Sequence, residues 1–257
     1  MKKFVSAAFA LSLASGAALA DEATDAFRAG TSRTCSSCDL SGMDFSSRDL
    51  GRVRLDKANL AGAKLESTVL FRSNLQRANL SGALLKNADL NRIDAKFADL
   101  SNANLEGALL FEADLSGANL KGANLSGTRL GKARLNGANL EGANLDGADM
   151  RDARLPAAKL QGVSMKGARL DRMNLREQNL AGIDFTMGDM IETDLRSANL
   201  RGAKLAGVNL FGANLNGADL RDVDFEGANL ERAILTGAQL EGAKFDAAIM
   251  PDGKRNE

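Results

Sequence analysis

Every fifth residue from Leu40 to Leu240, and on to Met250, is apolar, and no insertion or deletion breaks the count. Of these 43 positions 34 are leucine; the others are Phe45, Ala95, Met150, Met165, Phe185, Met190, Phe225, Phe245 and Met250. Two residues earlier, alanine fills 27 of the 43 places. A period of five suits neither regular element. On an α-helix, residues five apart are about 140° out of register, so the leucines would spiral around the rod. On a straight strand they would point to opposite faces. The pattern closes only if the chain turns a corner once per pentapeptide. The small residue and the leucine, two apart, then both face inward, and the Asn or Asp between them faces water. The glycine that often follows the variable residue permits the backbone angles of a corner. The result is an all-β coil filled with Leu and Ala, a β-solenoid.

The exceptions give the number of sides. The inward phenylalanines Phe45, Phe185, Phe225 and Phe245 are multiples of 20 apart. So are four apolar residues in the outward place after the central one, Phe71, Phe111, Ile191 and Phe211. Neither set keeps register at 15 or 25. Four pentapeptides per turn put each set on one wall of a square prism. With rungs about 4.7–4.9 Å apart, the units make about ten to eleven coils and a rod about 50 Å long.

The unit Ala118-Asn119-Leu120-Lys121-Gly122, and the opening Cys35-Ser36-Ser37-Cys38-Asp39-Leu40-Ser41-Gly42, resemble the pentapeptide-repeat family, whose consensus is close to A-(D/N)-L-x-x. The resemblance covers residues 35–250. It implies a right-handed quadrilateral β-helix, in agreement with the four-sided coil. It implies no single activity: a few members imitate DNA and bind a type II topoisomerase, inhibiting or protecting gyrase, while most have no known biochemistry.

Residues 1–20 read as a bacterial Sec-type signal peptide. Lys2 and Lys3 begin it, Phe4 to Leu13 form an apolar run too short to anchor in a bilayer, and Ala18-Leu19-Ala20 is an A-x-A site cut before Asp21. The expected mature protein is periplasmic or secreted, without membrane insertion. Residues 21–34 are expected to cap the first coil, as a short helix with Ala23, Ala26 and Phe27 on one face and Gly30 as its stop. Residues 35–250 are the solenoid. Residues 251–257 form a short tail, with Pro251 and charges protecting the last edge. Without Lys2 and Lys3 the chain keeps 31 basic against 33 acidic residues. That balance suits neither a nucleic-acid binder, which carries a basic stripe, nor a DNA mimic, which is strongly acidic.

The chain contains no His, Trp or Tyr and two Cys, so the commonest proton shuttle and metal ligand is missing. Catalytic, cofactor-binding and metal-binding residues are therefore expected to be none, and the protein no enzyme. The outward row Asn59, Asn79, Asp99, Asn119 and Asn139, one coil apart, reads as a side-chain ladder rather than a catalytic row. Cys35 falls on the five-residue frame and Cys38 on the small inward place. In an oxidising compartment they could close a disulfide that pins the end of the solenoid, or stay as buried thiols. A redox CxxC lacks its βαβ context, and two ligands make an incomplete metal site.

The outward apolar residues mark a surface. Val69 and Phe71 flank Leu70, Leu109 and Phe111 flank Leu110 two rungs on, and Ile191 and Phe211 continue the same wall. A solenoid wall cannot fold over to bury them, so they form a candidate surface for a protein partner or for self-association as a homodimer. Departures from the small inward residue occur at Met43 and Arg48, and in succession at Met173, Gln178, Ile183, Gly188 and Thr193, where a wider or bulged coil is expected. The expected function is that of an exported structural or interaction protein, a rigid rod presenting flat walls to a partner. The alternative is a DNA-mimicking binder of a type II topoisomerase.

Overall fold

In a computed structural model the protein is a right-handed quadrilateral β-helix. The structure describes residues 16–257, with side chains from residue 22; residues 1–15 of the expected signal peptide lie outside the described residues. Each pentapeptide meets the next coil through one parallel bridge, residue n to n+20, as in Asp39↔Asn59, Asn59↔Asn79 and Asn79↔Asp99. The coil of 20 implied by the phenylalanine spacing is thus the coil observed. The central residues and the small residues before them fill the interior, and most are completely buried.

The unit Asn79–Ala83 shows why the motif is five residues long. The N–H groups of Asn79, Leu80 and Gly82 donate to the neighbouring coils, at Ala58 O (2.9 Å), Asp99 O (2.6 Å) and Ser101 O (2.9 Å). The Ala83 N–H closes the corner on Leu80 O at 3.0 Å. One N–H remains, that of Ser81, and the Asn79 side chain accepts it at 3.1 Å. All five donors are satisfied, as backbone held against a packed core requires. The Asn/Asp preference therefore has a structural cause, an Asx turn. Of the 27 Asn or Asp residues in this place, 26 accept the N–H two residues on. The ladder between coils is secondary and partial. Asn59 donates to Asp39, Asn79 to Asn59 and Asn119 to Asp99; Asp99 has no hydrogen to pass on, and Asn139 adds no rung.

Each corner also needs a left-handed residue. All 42 residues two after the central place from Gly42 to Ala247 have positive φ, and 22 of them are not glycine. Such a residue costs roughly 1–2 kcal/mol in the left-handed region, so the corners hold because the coils on either side fix them. Small polar residues are accommodated inside by bonding to backbone. Thr68 donates to Phe45 O (2.9 Å), Ser73 to Leu50 O (2.8 Å) and Thr193 to Leu170 O (3.0 Å).

The N-terminal cap is the helix α1 (Gly16–Arg28). It starts earlier than the expected capping segment and runs through Ala20, so cleavage there would leave its last two turns. Phe27 is buried and meets the Phe45 ring edge-on, 5.8 Å between centroids. The helix ends in a Schellman motif: Gly30, at φ 76°, donates to Phe27 O and Thr31 to Ala26 O. Arg48 and Met43 do not enter the interior. Both stay half-buried at the end beneath the cap, with the Arg48 guanidinium 5.4 Å from the Phe45 centroid.

The coil distortion expected between residues 171 and 193 is displaced upstream. Met173, Ile183 and Thr193 are buried in regular coils. The break is a seam on the upstream side of Gln178. Bridges Arg154↔Asn174 and Lys159↔Asn179 are missing from an otherwise continuous series. The N–H groups of Asp152, Leu155, Ala157, Leu160 and Gly162 make no bond to the next coil, nor do those of Asn174, Asn179 and Asp184 to the previous one. Gln178 explains it: its amide is too long for the alanine place and too polar to bury unpaired, so the wall opens and leaves it half-exposed.

Ala95, the one small residue on the central frame, is matched by Ile93 in the preceding small place. The two have exchanged sizes, and a small apolar cavity remains beside them, lined by Leu75, Leu90 and Leu115. Ile93→Ala alone should cost about 2–5 kcal/mol, whereas Ile93→Ala with Ala95→Leu should recover most of it. Urea unfolding measures both; a double variant no more stable than the sum of the two singles would contradict the exchange.

Candidate functional site

The wall carrying Leu70, Leu90, Leu110, Leu130, Met150, Leu170 and Met190 differs from the other three. Along it Phe71, Leu109, Phe111 and Ile191 line one open groove, together with Arg92, Arg129, Lys132, Arg151, Asp149 and Asp171. Val69, 37 % exposed, lies with Phe71 in a shallower depression beside Arg33 and Arg52. Phe211 is on the same wall but not in the groove.

The backbone of this wall explains how apolar residues can stand there. Leu109 replaces the usual Asx acceptor, so the Phe111 N–H takes Asn91 Oδ1 of the previous coil instead, at 2.9 Å. The Ile191 N–H also takes an acceptor from the previous coil, Asp171 Oδ1 at 3.2 Å, although its own unit keeps Asp189 in the Asx place. Gly131, one coil beyond Phe111, gives the ring a floor: a Cβ there would stand 3.3 Å from the ring edge. The Phe111 side chain thus leans along the rod, and the residue stays 38 % exposed.

Cations cover the rings. The Arg72 guanidinium lies 5.1 Å from the Phe71 centroid, Lys132 Nζ 5.7 Å from Phe111 and Arg232 5.2 Å from Phe211. Each such contact is worth about 0.5–1 kcal/mol at an exposed site. Arg92 is tied to Glu112 at 2.8 Å and Arg172 to Glu192 at 3.0 Å. In mid-groove Arg151 grips Asp149 with two bonds of 2.8 and 2.6 Å, while Asp149 also accepts the Arg151 N–H. Hydrogen bonding from the Arg151 side chain holds the Asp149 carboxyl below its usual range. The pairs Asp194–Arg196 on the adjacent wall and Asp219–Arg221 on the opposite one repeat this geometry, with the same effect.

Of the exposed apolar residues that escaped the sequence reading, Phe97 (61 % exposed) and Met187 (72 %) are the most exposed. Both occupy left-handed corners and lie over the corner glycine of the next coil, Gly117 and Gly207. The signal was an apolar residue two after the central place, where glycine and polar residues predominate. Elsewhere, Cys35 and Cys38 are both buried and joined through their sulfurs, with Cα atoms 5.3 Å apart. The Cys35 sulfur also lies 3.6 Å from the Ala23 carbonyl of α1. At the seam, Asn136, Arg154, Pro156, Arg176 and Gln178 line a cleft. Asn136 Oδ1 is the one buried side-chain acceptor without a partner among the described residues. Among those residues no group of three His, Cys, Asp or Glu could hold a metal ion, and no helix is long and apolar enough to cross a membrane.

The family model described as pentapeptide repeats matches the chain in eight copies that together cover residues 35–250 almost without a gap. Similar solved structures include HetL, a pentapeptide repeat protein involved in heterocyst differentiation regulation from the cyanobacterium Nostoc sp. strain PCC 7120. It is 31 % identical, with 92 % of this chain and 98 % of that one covered and a TM-score of 0.41. Rfr23 from the cyanobacterium Cyanothece 51142 is 26 % identical over 56 % of this chain and 99 % of its own, TM-score 0.25. QnrB1, a plasmid-mediated fluoroquinolone resistance protein, is 19 % identical over 74 % and 86 %, TM-score 0.34. No curated protein matches the chain.

The Asp–Arg pairs set a pH dependence. Carboxyls whose folded pKa is depressed stabilise the fold above the unfolded value, near 3.8, and lose that contribution as pH falls through the folded value. With no histidine in the chain, no side chain of ordinary pKa titrates between about pH 6 and 8. The melting temperature should therefore be flat over that range and fall below about pH 4. A transition near neutrality in a pH series of thermal melts would contradict this.

Proposed function

Because the chain belongs to the pentapeptide-repeat family, we propose that it is an exported, non-enzymatic rod that binds a protein partner along its grooved wall. The observation that carries this reading is the groove itself: Phe71, Leu109, Phe111 and Ile191 stand open on a wall whose backbone has been rebuilt around them. Apolar residues gathered with charged ones in one groove on a wall that cannot fold over to bury them mark a contact surface. Arg129 and Lys132 beside it, without a carboxylate of their own within ion-pair distance, favour a partner segment that brings apolar side chains to the rings and carboxylates to these cations. Rigidity serves the role, because a preformed wall loses little conformational freedom on binding.

The basic start, apolar run and Ala18-Leu19-Ala20 site support export, and with it an oxidised Cys35–Cys38 bridge in the mature protein. A near-equal count of acids and bases leaves no phosphate-like array for topoisomerase binding.

The test is chemical cross-linking and capture in the intact periplasm, comparing the wild-type chain with Phe71→Asp/Phe111→Asp. The wild type should be recovered with its N-terminus at Asp21 and a defined partner, and the double variant should lose that partner while melting at the same temperature. A partner retained by the variant removes the groove from the account, and recovery of the chain from the cytosol with Met1 in place removes export.

A further inference from the structure

One carboxylate on the grooved wall is unspent. Asp189 stands in an Asx place, but the Ile191 N–H it would accept goes to Asp171, and its side chain meets no other donor among the described residues. Three coils upstream in the same column, Arg129 is exposed and likewise has no carboxylate within ion-pair distance. Both charges are free for an outside partner.

Coils stack in register every 20 residues, so each outward place on this wall is a straight column of side chains. The columns are self-complementary about the level midway between Met150 and Leu170. A second rod, turned end over end about an axis lying in the wall at that level, presents every column to itself in reverse. Asp149 then faces Arg169, Arg129 faces Asp189 and Lys132 faces Glu192. Nearest the axis, Arg151 and Asp152 meet Asp171 and Arg172. Ile191 faces Gly131 and so meets the Phe111 ring that leans over that glycine, while Phe111 also faces Phe211. The register is specified as well. Moving the axis half a rung one way sets Asp149 on itself and Arg129 on Arg169; moving it the other way sets Arg169 on itself and Asp149 on Asp189.

We propose that the occupant of the groove is a second copy of the chain, laid wall against wall and antiparallel about this axis. The inference rests on the reading of the groove as a protein contact surface and names its partner. The contact is isologous, so it closes at two copies. Exposed ion pairs add little affinity each and chiefly fix register and direction. Burial of Phe111, Ile191 and Phe211 supplies the attraction. The paired face from Phe111 to Phe211 is about 24 Å long. The Asp149–Arg151 pair of one copy meets the Arg169–Asp171 pair of the other, which alternates four charges beside the axis. The axis also lies level with the seam in the two walls that follow. Each copy therefore splints the other where its own stack is interrupted.

Sedimentation and light scattering on the purified chain give the mass, and small-angle scattering the shape. The wild type should be a dimer of doubled cross-section and little added length. Arg129→Asp and Asp189→Arg should each weaken it about tenfold or more by setting like charges together. Arg129→Asp combined with Asp189→Arg, which restores the opposite pair in reverse, should recover the dimer. Both side chains are without a partner inside the chain, so all three variants should keep the wild-type circular dichroism. A wild type that is monomeric at high concentration overturns the self-pairing and leaves the groove to the partner sought by periplasmic capture. A dimer indifferent to both single variants, one not recovered by the exchange, or an end-to-end particle of twice the length also overturns it. A dimer that survives Phe71→Asp/Phe111→Asp removes the groove reading itself.

Discussion

The fold depends on a five-fold accounting of backbone N–H groups. In the units that carry Asn or Asp, three N–H groups are taken by neighbouring coils, one by the corner and one by the Asx side chain. Since each pentapeptide meets the next coil through a single bridged residue, the remaining donor is settled within the unit, as the Asx side chain does in 26 of the 43 units. The Asn/Asp place is thus structural before it is a surface. Where the surface needs something else in that place, the acceptor must come from elsewhere. Asn91 supplies it to Phe111 from the coil before, where Leu109 has taken the Asx place. The candidate groove exists because the accounting can be settled between coils.

The same dependence explains where the rod is weak. Coils couple only to their neighbours, so an inter-coil seam is not compensated from a distance. At Gln178 one long polar side chain in an alanine place opens two walls. Left-handed corners occupied by Arg, Asn, Glu or Phe add strain that only intact neighbours can hold. Stability along the rod is therefore local, with the seam dividing it into two blocks of coils.

Much of this was legible in the sequence, and the limits are physical. The period of five and the spacing of Phe45, Phe185, Phe225 and Phe245 contain the four-sided coil, because inward residues have one allowed direction. The outward apolar set contains the groove wall for the same reason, although whether Phe211 joins the groove depends on how neighbouring side chains lie. The seam was legible as a run of unusual residues but not in place. Met173, Ile183 and Thr193 are large or polar yet fit, Thr193 by bonding to Leu170 O, whereas Gln178 does not. Phe97 and Met187 were hidden because corner positions follow no hydrophobic rule.

A rod with one grooved wall is a scaffold whose individuality lies in exceptions to its repeat. All of it presumes a continuous hydrogen-bonded stack with a single interruption. Amide hydrogen exchange resolved to individual residues tests that most directly. The account predicts slow exchange at wall donors such as Asn79, Leu80 and Gly82, and faster exchange by orders of magnitude at Leu155, Ala157, Leu160, Asn174 and Asn179. Uniform protection across residues 152–184, or rapid exchange throughout the interior coils, would contradict it.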